Sequence, residues 1–149
     1  MIEGQLLWTP DPKRVAQSQI VAFMEWLARE RELRFTDYEA LRRWSITDLE
    51  GFWSAIWAFY NVQSDRPYDQ VLDARVMPGA RWFTGSRVNY AEHLLRRERS
   101  AAPDEIVFVH GSETRALATM TWHELGAAVR SFATALRDLG IGPGDRIVA

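Results

Sequence analysis

The sequence contains no cysteine in its 149 residues. This absence excludes disulfide bonds, thiolate catalysis and cysteine-ligated metal, and it is typical of a cytoplasmic protein. Lysine is scarce too: Lys13 is the single lysine, so almost all of the positive charge comes from arginine. The net charge of −2 provides no clearly basic face for nucleic acid. We therefore expect neither a redox or cysteine-metal site nor a nucleic-acid partner.

Long apolar runs are also missing near the N-terminus. The opening residues MIEGQLLWTPDP hold an acid at Glu3, only a short apolar run and two prolines. This pattern resembles neither a signal peptide nor a membrane anchor. The apolar content of 47%, with seven tryptophans and seven phenylalanines, is enough for a packed core. We expect a soluble cytoplasmic protein with no membrane partner.

Helical spacing dominates the first part of the chain. Thr9 or Asp11 is expected to cap a first helix with proline in its first turn. Capping boxes at Thr36/Glu39 and Thr47/Glu50 predict two more helices. The predicted buried faces are Ala16, Ile20, Phe23, Met24 and Leu27 in the first helix, and Leu49, Phe52, Trp53, Ile56, Trp57 and Tyr60 in the third. We interpret the aromatic stripe as core rather than as a cofactor box.

Periodicity fades over residues 61–87, where prolines and glycines punctuate the chain. We expect this segment to run extended over a surface, pinned by Trp82 and Phe83. Asn89 and Glu92 are expected to cap a short helix, and SAAPDE is interpreted as a linker.

The pattern changes after the linker. IVFVHG and RALATMT, joined by SET, predict a β-hairpin. Thr121 and Glu124 form a third capping box, and Leu125, Val129, Phe132, Leu136 and Leu139 mark one helix face. Gly140 suits the end of that helix, IGPGD a turn, and RIVA a further strand. The predicted class is α/β (α+β as a fragment), with a helical region over 1–100 and the start of an α/β domain over 101–149.

The glycine cluster GIGPG at residues 140–144 is the first candidate for chemistry. Phosphate-binding loops follow a strand and precede a helix, because the helix N-terminus supplies free N–H groups. This cluster follows a helix and precedes the predicted strand, and it lacks the lysine and hydroxyl of a P-loop. The pair Pro143–Gly144 suits a tight turn instead.

The histidines and Ser112 do not fit the patterns of a metal site or of a catalytic nucleophile. HELGA at His123 has the glutamate of a zinc-protease helix, but Ala127 stands where the second histidine ligand is needed. His93 and His110 have no evident metal partner in the sequence. Ser112 in HGSET lacks the glycines two residues before and after that a nucleophile elbow requires, and a strand follows it. We therefore predict no catalytic, cofactor-binding or metal-binding residue in this chain.

Three blocks resemble the N-terminal region of acetoacetyl-CoA synthetases, in the acyl-CoA synthetase branch of the adenylate-forming enzymes. They are LLWTPDPKRVAQSQIVAFMEWL, YEALRRWSITDLEGFWSAIWAFYNV and MPGARWFTGSRVNYAEHLLRR. MTWHELGAAV is similar to the first core motif of that superfamily, through Thr121, Trp122, Glu124 and Leu125. LGIGPGDRIVA resembles the helix-to-strand turn that follows this motif. The resemblance covers nearly the whole chain.

The resemblance implies that acetoacetate and ATP form an acyl-adenylate and diphosphate, after which CoA displaces AMP. It implies ATP, magnesium and CoA as cofactors and substrates of a full-length parent. The family's Ser/Thr/Gly-rich phosphate loop, its later aspartate-bearing motifs and its catalytic lysine have no counterpart here. We therefore expect an inactive N-terminal piece that binds none of these groups and needs the rest of its chain to bury its apolar faces. A related synthetase for acetate or propionate, or a standalone helical interaction module, is the alternative.

Overall fold

The computed structural model describes residue 4 and residues 7–148, so Glu3 and Ala149 lie outside the described residues. Contacts divide the chain into two compact units, Met1–Val88 and Asn89–Ala149. The first unit holds α1 (Pro12–Ala16), α2 (Gln19–Glu30), α3 (Tyr38–Thr47), α4 (Leu49–Phe59), β1 (Gln70–Leu72) and β2 (Trp82–Thr84). The second holds α5 (Tyr90–Leu95), a 3-10 helix (Arg96–Arg99), β3 (Ile106–Ser112), β4 (Arg115–Thr121) and α6 (Trp122–Asp138).

Two helices stand where the sequence predicts one at the start of the first unit. Asp11 caps α1, accepting a hydrogen bond from the Arg14 amide at 2.9 Å, with Pro12 in the first turn as expected. The helix then stops, because Ser18 has an extended backbone and its hydroxyl accepts a bond from the Val21 amide at 3.3 Å. Ser18 thereby starts α2 as a new N-cap.

The core of the first unit lies between α2, α3 and α4. Its buried residues are Phe23, Leu27, Leu41 and Ala55, and partly buried Met24, Trp26, Phe35, Trp44, Phe52, Ile56 and Phe59 pack against them. Phe23 contacts Phe52 edge-on and Phe59 at a tilt, with ring centroids 6.1 and 5.1 Å apart. The predicted core roles of Phe23, Met24, Leu27, Phe52 and Ile56 are confirmed. Four residues predicted to be buried are exposed instead: Ala16, Ile20, Trp53 and Tyr60.

The capping boxes predicted at Thr36 and Thr47 are wrong, because an aspartate caps each helix instead. The Asp37 carboxylate accepts a hydrogen bond from the amide of residue 40 at 2.8 Å. Asp48 likewise accepts from the Gly51 amide at 3.0 Å. The Thr47 hydroxyl turns back to donate to the carbonyl of residue 43 in the last turn of α3.

The segment predicted to run extended contains a small sheet. Strands β1 and β2 pair antiparallel, with Gln70 opposite Thr84 and Leu72 opposite Trp82. The ring of Trp82 contacts Trp53 edge-on, with centroids 5.7 Å apart. Phe83 packs on Trp57 at 4.4 Å. The prediction that Trp82 and Phe83 hold this segment in place is therefore confirmed. Their rings pack the sheet against α4.

The second unit begins with α5, which Asn89 caps by accepting a bond from the Glu92 amide at 3.2 Å, as predicted. The β3–β4 hairpin and α6 also form where the sequence predicts them. Thr121 and Glu124 make the complete capping box: the Thr121 amide donates to the Glu124 carboxylate at 2.7 Å, and the Glu124 amide donates to the Thr121 hydroxyl at 3.2 Å.

The chain after α6 turns as predicted, but the expected strand is absent from its described residues. Gly140 has φ 81°, in the left-handed region that favours glycine. Residues 145–148 adopt no strand, since a strand forms only against a hydrogen-bonding partner. The described part of the second unit supplies no such partner for RIV.

Candidate functional site

The glycine cluster forms a type II-like turn. The Asp145 amide donates to the Gly142 carbonyl at 3.2 Å, and the Asp145 carboxylate accepts from the Gly142 amide at 2.7 Å. Gly144 has φ 101°, the positive value that the third position of such a turn requires. The Gly142 amide is therefore committed within the turn, which supports the turn interpretation over a phosphate loop.

The three histidines sit on separate elements: His93 on α5, His110 on β3 and His123 in the first turn of α6. Burial, followed by the positive charge of Arg96, lowers the pKa of His93. Within residues 4 and 7–148, no group of three or more histidines and carboxylates is placed to hold a metal ion.

Ser112 is part of the hairpin turn. Its hydroxyl accepts a bond from the Thr114 amide at 3.3 Å, and its partner across the strands is Arg115. Within the part of the chain that the structure describes, the Ser112 hydroxyl contacts the Thr114 hydroxyl at 3.3 Å and has no histidine partner. The geometry thus gives Ser112 a turn role, as the sequence indicates.

Four carboxylates share one arrangement, in which each accepts hydrogen bonds from the side chain of an arginine at least eight residues away in sequence. The pairs are Glu50 with Arg75, Asp73 with Arg81, Glu98 with Arg130 and Glu105 with Arg97, at donor–acceptor distances of 2.6–3.0 Å. In each pair this hydrogen bond is the main cause that lowers the pKa of the carboxylate. A general acid needs a pKa raised toward neutrality, so these groups are suited to holding elements together rather than to proton transfer.

Glu124, the glutamate of the core-motif signature, also has its carboxylate occupied by hydrogen bonds and its pKa lowered. The Thr121 amide first, and then the Thr121 hydroxyl, lower the pKa of its carboxyl by hydrogen bonding to it. The carboxylate is thus occupied by the cap at the start of α6. The Thr121–Glu124 signature therefore has a structural role in this chain.

The first unit contains an apolar cavity of about 250 Å³ between α2, α3 and α4. Its walls include Phe23, Leu41, Phe52 and Ile56, with Arg42 at the rim. The Arg42 guanidinium is paired with Glu39 on its own helix, at 2.6 and 2.7 Å. A binding pocket combines apolar walls with convergent polar groups, and here the charged rim group is already paired.

In the described part of the chain, no helix combines the length and the apolar character needed to cross a bilayer.

Comparison with known proteins decides between the families that the sequence suggests. A family model described as acetyl-coenzyme A synthetase N-terminus matches residues 38–94. Acetoacetyl-coenzyme A synthetase from Rhizobium meliloti is 36% identical over 96% of this chain, and the enzyme from Danio rerio is 34% identical over 99%. The solved structure of acetoacetyl-CoA synthetase from Streptomyces lividans matches 96% of the chain with a TM-score of 0.85 and 44% identity.

The chain is a homologue of acetoacetyl-CoA synthetases. It spans only 21–22% of the length of these relatives and of the Streptomyces chain, and it corresponds to their N-terminal part. Malonamoyl-CoA synthetase from Penicillium aethiopicum is also similar, at 29% identity over 96% of the chain.

The resemblance to acetoacetyl-CoA synthetases stated from the sequence is thus confirmed, as is the mixed helix-and-hairpin fold. The family model spans α3 to most of α5, so it covers the block YEALRRWSITDLEGFWSAIWAFYNV and most of MPGARWFTGSRVNYAEHLLRR. The longer relatives match both units.

Proposed function

We propose that this chain is the N-terminal part of an ATP-dependent acetoacetate–CoA ligase. The parent enzyme converts acetoacetate, ATP and CoA into acetoacetyl-CoA, AMP and diphosphate through an acyl-adenylate. The observation that carries this proposal is the match to acetoacetyl-CoA synthetases over 96–99% of the chain, from both a bacterial and a vertebrate relative. The 44% identity to the Streptomyces enzyme supports it further.

The chain itself has a scaffolding role in this proposal. The carboxylates of Glu98 and Glu124 are engaged by an arginine and by a helix cap, and the glycine turn bonds to its own aspartate. ATP, magnesium, CoA and acetoacetate therefore bind to parts of the parent outside the matched fifth. There the enzyme holds two anions together and stabilises the charge that develops at phosphorus. The parent acts in the cytoplasm on these small molecules, without a nucleic-acid or membrane partner.

A chimera tests the proposal. Residues 1–149 replace the matching segment of the Streptomyces lividans synthetase, and AMP release is measured with acetoacetate, ATP and CoA. We expect activity in the chimera, and neither AMP release nor ATP binding in the 149-residue chain alone. The Streptomyces enzyme lacking its matched segment is the control. A folded chimera without activity, or a 149-residue chain that releases AMP, contradicts the proposal.

The acid used by the parent is a separate question. The acetyl-CoA synthetase family model and the malonamoyl-CoA relative both motivate a panel of acetate, propionate, malonamate and acetoacetate. The panel is run on the full-length parent. We expect the highest kcat/KM with acetoacetate; a higher value with another acid would reassign the substrate while keeping the reaction class.

The interaction-module alternative has less support. Trp53 and Trp57 would have to fill a partner's groove, yet their rings already contact Trp82 and Phe83 within the first unit.

A further inference from the structure

Two serines of this chain follow arginines in a similar pattern. Ser45 ends the stretch RRWS and Ser100 ends RRERS, and these are the two serines of the sequence that have an arginine three residues before them. A serine kinase with an acidic substrate groove selects its substrates by such arginines, because they pair with carboxylates of the groove. The sequence alone therefore makes both serines candidate phosphate acceptors, and their surroundings in the fold distinguish them.

Ser45 is held within a helix. It lies in α3, where its hydroxyl donates to the Arg42 carbonyl at 2.8 Å. The neighbouring Trp44 packs on the core of the first unit, with its ring centroid 5.2 Å from that of Phe35. A kinase binds the acceptor serine in an extended segment, because the hydroxyl has to reach the terminal phosphate of ATP inside a cleft. Ser45 reaches that position after α3 unwinds, which costs the free energy of local opening.

Ser100 is much less constrained. It is exposed, and residues 100–105 adopt neither helix nor strand. Its hydroxyl donates to the Arg97 carbonyl at 3.4 Å, which is longer than the equivalent bond of Ser45. The 3-10 helix before it has four residues, and such helices have poorer hydrogen-bond geometry than α-helices. Little structure therefore has to open before a kinase can bind this segment.

The same segment provides a partner for a phosphate on Ser100. Nη1 of Arg97 lies 3.4 Å from the Ser100 hydroxyl oxygen, while Nε and Nη2 donate to the Glu105 carboxylate at 3.0 and 2.8 Å. The Arg97 and Glu105 side chains are 49% and 31% exposed, so their ion pair is a surface pair that exchanges readily. A phosphate carries a charge of about −1.5 to −2 at pH 7 and three acceptor oxygens, so it can compete with Glu105 for Arg97.

We propose that Ser100 is a phosphorylation site for an arginine-directed serine kinase, and that its phosphate pairs with Arg97 in competition with Glu105. In the reaction the Ser100 hydroxyl oxygen forms a bond to the γ-phosphorus of ATP. The bond from that phosphorus to the β,γ-bridging oxygen breaks, ADP leaves, and the hydroxyl proton passes to a base of the kinase. The site is built from residues 96–105 and does not depend on which acid the parent enzyme activates.

Phosphorylation with and without the fold tests the site. The 149-residue chain, the chimera with the Streptomyces lividans synthetase and two synthetic peptides, residues 39–50 and 94–105, are incubated with ATP. The kinase is a purified serine kinase that requires arginine three residues before the serine. Mass spectrometry of proteolytic fragments follows the phosphate at Ser45 and Ser100. Arg97→Gln removes the required arginine, and Arg137→Gln, at an exposed position of α6, is the matched control.

We expect both peptides to be phosphorylated, because both carry the arginine pattern. In the 149-residue chain and in the chimera, Ser100 should be phosphorylated at least about tenfold faster than Ser45, because only Ser45 waits for a helix to open. Arg97→Gln should slow the reaction at Ser100 by at least about tenfold, and Arg137→Gln should leave its rate unchanged. Similar rates at the two serines of either protein, or a Ser100 that stays unmodified, overturns the proposal.

The pairing of the phosphate with Arg97 has its own measurement. A 31P NMR titration of the phosphorylated chain should place the second ionisation of the Ser100 phosphate below its ordinary pKa of about 6, because a guanidinium favours the more charged form. Arg97→Gln should raise this pKa, and Glu105→Gln should lower it, because the competing carboxylate is then neutral. Arg137→Gln should not change it. A pKa that is the same in the Arg97→Gln variant and in the unmodified chain overturns the pairing.

Discussion

The Glu98 carboxylate accepts two hydrogen bonds from the Arg130 guanidinium, at 2.6 Å from Nη1 and 2.9 Å from Nη2. This bidentate pair joins the 3-10 helix to α6 across 32 residues of sequence. Gly126 is the buried residue of α6 beneath the pair, and a methyl group there would overlap the carboxylate. The lack of a side chain at Gly126 thus allows Glu98 to approach the helix.

Gly126→Ala should be less favourable when Glu98 is present than when it is absent. Alanine is favoured over glycine in a helix interior by about 1 kcal/mol, so Gly126→Ala should stabilise the Glu98→Ala variant. In the unmodified chain the new methyl displaces the carboxylate from Arg130 and offsets that gain. Urea unfolding followed by tryptophan fluorescence measures all four members of this cycle.

The control for this cycle is Ala127→Gly, at the next, exposed position of α6. It should cost about 1 kcal/mol with or without Glu98, because only helix propensity changes there. Equal effects of Gly126→Ala in both backgrounds would show that the glycine is not needed for the ion pair.

The second unit should become less stable as the pH is lowered through the acidic range. Hydrogen bonds from Arg130 and Arg97 hold the pKa values of Glu98 and Glu105 below the ordinary value of 4.5. A carboxylate with a depressed pKa in the folded state stabilises the fold above its unfolded pKa, and this contribution is lost as the pH falls through its folded pKa. The melting temperature, measured by circular dichroism, should therefore hold down to about pH 5 and decline below it.

Glu98→Gln isolates one of these groups. The variant should melt at a lower temperature at neutral pH, where the unmodified chain has its full ion pair. The difference should shrink as the pH falls below about 4.5, because the protonated glutamate also lacks its charge. A difference that does not change with pH would mean that Glu98 acts through packing alone.

Most helices of this fold were predictable from the sequence, but the break at Ser18 and the caps of α3 and α4 were not. Both wrong caps occur in a Thr-Asp pair, Thr36–Asp37 and Thr47–Asp48, where either side chain is a good N-cap. A one-residue shift of the helix start decides between them, and that shift depends on tertiary packing. At Thr121 the next residue is Trp122, which cannot cap, so the capping box there was predicted correctly.

The small sheet of the first unit escaped prediction for a different reason. Strands of three residues are too short to show an alternating pattern. Their pairing is supported by contacts distant in sequence, such as Trp53 with Trp82 and Trp57 with Phe83. The candidate site was easier to judge, since the polarity of the glycine turn and the missing second histidine at Ala127 are local features.

Asp48 and Thr47 offer a direct test of the corrected cap. Asp48→Ala removes the acceptor for the Gly51 amide and should destabilise the first unit by about 1 kcal/mol. Thr47→Ala should cost less than about 0.5 kcal/mol, because the hydroxyl only donates to a carbonyl that its helix already satisfies. Thermal unfolding of both variants checks the order. A larger loss for Thr47→Ala would restore the threonine as the cap.

Leu27 should be the position at which the first unit is most sensitive to truncation. Its side chain is fully buried between α2 and the helices that pack on it. Leu27→Ala removes buried methyl groups and leaves a cavity, which should cost about 3 kcal/mol. Leu33→Ala, six residues along at a position that is 37% exposed, is the matched control and should cost less than about 1 kcal/mol. Urea unfolding compares the two, and similar losses would mean that the core is not centred on α2, since only a buried leucine leaves a cavity when it is shortened.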